Sequence, residues 1–129
     1  MNTACDPADR LVLARVPKQR VRERDAYEFF VYAEPDGNVI WSHGIADRGA
    51  VFTHPGAVCR SHITYHPSLK RYLLTMTGPG SEPRFEGSLG IYDAPEPWGP
   101  WTTVFYTDAW DVGPGDSASF PARFWHLKI

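Results

Sequence analysis

Three groups of side chains in this 129-residue sequence are of types that do chemistry. The first is a set of carboxylates, Glu82, Glu86, Asp93, Asp108, Asp111 and Asp116. Two carboxyl groups facing one another across a glycosidic bond suffice to hydrolyse it: one protonates the leaving oxygen while the other acts as base or nucleophile. Glu86, in a glycine-flanked loop before a strand, and Asp93, within that strand, are the catalytic candidates, although each acid also reads as a turn, cap or solvated residue. The second group is Arg60 and His62, alternate residues of one strand and so on one face of it. There a guanidinium would hold a sugar hydroxyl or carboxylate, or else close a structural salt bridge. The third is Trp110, between Asp108 and Asp111, an indole suited to a sugar face or to plain packing.

Other chemistries lack their residues. His62 and His66 are four apart, but Pro67 argues against the helix that would make this a zinc spacing. Cys5 and Cys59 are too few for a disulfide framework and have no zinc-site spacing, so free thiols are expected, with a Cys5 to Cys59 bridge as the alternative. There is no nucleophile elbow, phosphate loop or dinucleotide fingerprint, so neither metal nor cofactor is expected. Thirteen basic and 15 acidic residues leave a formal charge of −2, which gives no general attraction to nucleic acid or an anionic membrane. No run is long enough to span a bilayer, and the polar start MNTACDPADR lacks the apolar core of an export signal. Localisation is left open.

The elements that must position these residues read as sheet. Twelve prolines, 11 glycines and 14% aromatics favour short strands and frequent turns over long helices. Leu11 to Val16 is expected as a buried strand stopped by Pro17. The basic run that follows, with Arg20, Arg22 and Arg24 interrupted by Glu23 and Asp25, reads as a solvated loop. Asp25 and Glu28 have the spacing of a capping box and predict a short helix over Ala26 to Phe30. Pro35-Asp36-Gly37-Asn38 is a turn and Val39 to Ser42 a strand. The stretch from His43 to Gly56 reads as a long irregular connection, a place to look for a site. Then come Arg60 to Tyr65, the turn His66 to Lys70, Arg71 to Thr77, Ser88 to Asp93 and Thr102 to Tyr106. These are four strands in an antiparallel meander, the unit of a propeller blade.

Between the last two strands, Pro95, Pro97 and Pro100 remove three backbone donors and fix three φ angles, which makes a stiff corner. Trp98 and Trp101 give that corner apolar area. It reads as architecture first and as a sugar-stacking platform second.

Five blocks in order carry a resemblance: LARVP at Leu13 to Pro17, DAYEFF at Asp25 to Phe30, ITYHPSLKRYLLT at Ile63 to Thr75, GIYDAPEPWGPWTTVFY at Gly90 to Tyr106, and SFP at Ser119 to Pro121. They resemble the five-bladed propellers first catalogued as a domain of unknown function, which include endo-D-arabinanases acting on mycobacterial arabinan. The resemblance implies an all-β domain in which residues 11–42 form the outer part of one blade, 57–107 a complete blade and 118–129 the start of the next. It implies a fragment or shortened member of a propeller glycoside hydrolase-like family, inactive alone. Its acids would lie mainly in earlier blades, so no catalytic residue is transferred. The partner expected is a polysaccharide or oligosaccharide, with a non-catalytic carbohydrate-binding module as the alternative. A lone blade leaves apolar faces open, and self-association is one way to cover them.

Overall fold

The computed structural model describes residues 8–78 and 88–107. Over these the chain is all-β, with strands β1 (Ala8–Leu11), β2 (Ala14–Arg15), β3 (Glu28–Ala33), β4 (Val39–Ser42), β5 (Phe52–Val58), β6 (Arg60–His66), β7 (Arg71–Thr77), β8 (Leu89–Ala94) and β9 (Thr102–Thr107). They pair antiparallel into a ribbon of β1 and β5, a three-stranded sheet β2-β3-β4, and a four-stranded sheet β6-β7-β8-β9.

The four-stranded sheet is the expected meander. Between β6 and β7 the Lys70 N–H donates to the Pro67 carbonyl at 3.3 Å, and Lys70 takes φ 52° to close the turn. The ladder sets Leu74 opposite Ile63 and Tyr92, and Met76 opposite Ser61 and Gly90. Because side chains alternate across a strand, Leu74, Met76, Tyr92 and Ala94 all project to one side. All four are buried, Leu74 and Ala94 completely. Gly90 is required here, since a Cβ at that position would stand 2.5 Å from the Tyr92 ring and hydroxyl. The ribbon covers this side: Val58 completes the buried cluster, Leu11 and Phe52 pack against it, and the Phe52 ring lies 4.7 Å from that of Tyr92.

The proline and tryptophan corner ties the sheets together. Trp101 packs on the four-stranded core, while Trp98 meets Trp41 of β4 edge to face at 6.0 Å. Trp41 meets Phe30 of β3 the same way at 5.9 Å, and the Arg15 guanidinium of β2 lies 4.0 Å above the Trp41 ring. Edge-to-face indoles and a cation over a π face are attractive beyond the area they bury. One corner thus sends its two indoles to two different sheets.

The turn at Pro35 to Asn38 also forms as its residues require. Gly37 N–H donates to the Glu34 carbonyl at 2.9 Å, and Asn38 N–H to Asp36 Oδ1 at 2.9 Å.

Four sequence expectations are corrected. Leu11 to Val16 is not one buried strand: Leu11 pairs with Phe52 in the ribbon, Ala14 with Phe29 in the three-stranded sheet, and Val12 at the crossing is 46% exposed. The short helix over Ala26 to Phe30 is absent. A 3₁₀ turn spans Arg24–Ala26 and β3 begins at Glu28, with no side-chain cap. Glu28 turns instead to Arg15 across the β2–β3 pair, accepting from its Nε at 2.8 Å, and the aromatic run that follows favours strand. The connection from His43 to Gly56 is not irregular throughout, because β5 starts within it. Its Pro55-Gly56 step is a bulge in which Gly56 adopts φ 68° and gives its N–H to Asp9 Oδ1 at 2.8 Å. Finally, Cys59, the single residue between β5 and β6, is disulfide-bonded rather than a free thiol. The Ala8 to Val58 pairing brings the start of β1 beside it, and the chain's other cysteine, Cys5, lies outside the described residues.

Candidate functional site: an aromatic cleft

Where the ribbon leans over β8 and β9 it leaves an open cleft of about 620 Å³, within the range of small-ligand sites. Phe52, Thr53 and His54 of β5 form one wall. Tyr92 of β8, Trp101 of the corner, and Thr103 and Tyr106 of β9 form the other.

Register explains why β9 contributes two residues an odd number of positions apart. In a regular strand Thr103 and Tyr106 would face opposite ways. The β8–β9 ladder pairs Gly90 with Tyr106 and Ile91 with Phe105, then slips so that Tyr92 meets Thr103. The extra residue, Val104, is bulged, and both Thr103 and Tyr106 stand on the Tyr92 side.

The walls are rings with a few polar tips. The His54 and Tyr106 rings are 5.4 Å apart and tilted by 52°. Burial pushes the Tyr92 phenol above its ordinary range by disfavouring the phenolate, and Tyr106 adds to the effect. The Trp101 Nε1 donor is buried, with no hydrogen-bond partner among the described residues. Flat aromatic faces take the C–H faces of a ring-shaped ligand, while threonine and tyrosine hydroxyls both donate and accept. The described lining residues include no carboxylate.

No protein-family profile, curated protein or solved structure matches this chain.

The sequence-predicted residues stand elsewhere. Arg60 and His62 lie on β6 and Asp93 on β8, and the ladder places all three on the face opposite the buried cluster: His62 pairs with Thr75 and through it with Ile91, and Thr64 with Leu73 and through it with Asp93. One face therefore collects them without bringing them together, since β6 and β8 are separated by β7, about 10 Å in all. The Asp93 carboxylate accepts from Arg71 Nε at 2.9 Å, a half-buried ion pair. Glu86 and Trp110, with Glu82, Asp108, Asp111 and Asp116, lie outside the described residues.

His66 Nδ1 accepts from the Leu69 N–H at 3.4 Å in the β6–β7 turn. Among the described residues no three His, Cys, Asp or Glu side chains cluster as metal ligands, and no helix is long and apolar enough to cross a membrane. In the basic loop Arg20 is paired with Glu23 at 2.7 Å, both exposed. Of the cleft residues, Phe52, Thr53 and His54 fall in the connection singled out from sequence as a place to look, and Trp101 in the corner. The signal overlooked was the alternation of Phe52 and His54, which the following Pro55-Gly56 obscures.

Proposed function

We propose that this chain is a glycoside hydrolase-like member, or part of a member, of the propeller group it resembles, acting toward arabinan-type polysaccharide. In this reading the described residues bind the sugar and do not cut it on their own. The observation that carries the reading is the cleft between β5, β8 and β9. It presents four aromatic rings, from Phe52, Tyr92, Trp101 and Tyr106, together with the Thr103 hydroxyl. Stacking rings with a few hydroxyls suit a neutral saccharide, whose C–H faces are apolar and whose edges are polar. Asp93 supports the non-hydrolytic part, since its carboxylate is engaged by Arg71 on the other side of the sheet.

Calorimetric titration with arabino-oligosaccharides and a panel of other polysaccharides tests it. Binding that Tyr106→Ala weakens by about tenfold, as expected for loss of one stacking ring, with no sugar released on long incubation, supports the reading. Flat titrations across the panel remove the binding site. Oligosaccharide release by pure protein removes the claim of inactivity.

A further inference from the structure

Two ring pairs join the ribbon to the four-stranded sheet, and they lie at different depths of the cleft. Phe52 and His54 are alternate residues of β5, so both point to the same side, about 7 Å apart along the strand. Phe52 meets Tyr92 at 4.7 Å, and Tyr92 is only 6% exposed. His54 meets Tyr106 at 5.4 Å, and Tyr106 is 38% exposed. The ladder sets Tyr106 opposite Gly90, which has no side chain to hold it. The space above Gly90 is taken by the hydroxyl end of Tyr92, 2.5 Å from where a Cβ would stand. Among the described residues His54 is the one ring packed against Tyr106. A part-exposed tyrosine without such a neighbour exchanges rotamers freely, and a stacking face that must first be ordered binds more weakly.

We propose that His54 is a positioning residue: it fixes the Tyr106 ring as the face on which the sugar stacks. This role rests on the sugar-binding reading above and names the side chain that preorganises that site. What His54 contributes is its flat ring and not its nitrogens, so another flat ring at the same position serves as well.

Two measurements on the full chain test it. Without ligand, NMR of the Tyr106 side chain should show one χ1 rotamer in the unsubstituted protein and in His54→Phe, and averaged rotamers in His54→Ala. In calorimetric titration with an arabino-oligosaccharide, His54→Ala should bind about fivefold more weakly, the size of one aromatic pair, and His54→Phe should stay within about twofold of the unsubstituted protein. Once Tyr106→Ala is made, adding His54→Ala should change affinity by less than about twofold, because the two side chains act as one unit. Should His54→Ala lose the β-sheet circular dichroism, His54→Thr, a strand-forming residue without a ring, takes its place. A Tyr106 rotamer indifferent to His54→Ala, losses that add in the double variant, or weak binding by His54→Phe would each overturn the role of His54 and leave sugar binding standing. Flat titrations of the unsubstituted protein would instead remove the sugar-binding reading, and this role with it, even where the Tyr106 rotamer follows His54.

Discussion

The two faces of the four-stranded sheet differ in what covers them among the described residues, and the aromatic cleft lies on one of them. One face is roofed by the β1–β5 ribbon. It holds the fully buried Leu74 and Ala94, and toward β9 it opens into the aromatic cleft. The other carries Arg60, His62, Asp93 and its partner Arg71, with Leu73, Leu89, Ile91 and Phe105 partly exposed between them. Residue types alone favour the second face, because it has the charges. Geometry favours the first, because concavity requires a second layer, and among the described residues only the ribbon supplies one. Charges spread over a sheet face two strand spacings apart do not converge on a reacting atom.

The contrast is broken most severely by truncation under the ribbon. Leu74→Ala should cost about 2–5 kcal/mol of unfolding free energy, as for other fully buried leucines. The neighbouring Thr75→Ala on the opposite face should stay within about 0.5 kcal/mol. Chemical denaturation of both variants checks this, and equal losses would mean that the two faces are packed alike. Next in size, Asp93→Asn removes the Arg71 ion pair. Both side chains retain solvent, at 34% and 25% exposure, so the expected loss is at most about 1 kcal/mol. Sugar binding should be unchanged, and a lost affinity would move the site to the Asp93 face.

The gentlest probe is alkaline pH. The Tyr92 phenol is raised in the folded chain, so the unfolded chain loses its proton first. That contribution is present in full below the ordinary tyrosine range and is lost as pH rises through the folded value. Tyr92→Phe should flatten this alkaline decline in thermal unfolding, and an unchanged decline would contradict it.

Much of the fold was legible in local pattern. Strand β6 follows from period-two alternation, β4 and β7 to β9 from short runs between turn residues, and the two corner indoles from the prolines that hold them. What was not legible depended on contacts distant in sequence. Glu28 has the spacing of a capping acid, but its carboxylate goes to Arg15, thirteen residues away. The Pro55-Gly56 step looks like loop chemistry until Asp9, 47 residues away, accepts its N–H and makes it a bulge in a strand. The cleft inherits both difficulties. Its β5 wall is the strand that the bulge conceals, and its β9 wall needs the slip at Val104 to bring Thr103 and Tyr106 to one side. Trp101 was in view from the start, but as part of a corner, because its neighbour across the cleft could not be read from the chain.

On the proposed function, sugar meets the roofed face and not the charged one. Amide chemical-shift mapping with ¹⁵N-labelled protein during titration with an arabino-oligosaccharide tests it most directly. Saturable shifts are expected at Thr53, His54, Thr103 and Tyr106, with His62, Thr75 and Asp93 unmoved. Shifts confined to His62, Thr75 and Asp93, or none at any concentration, would contradict it.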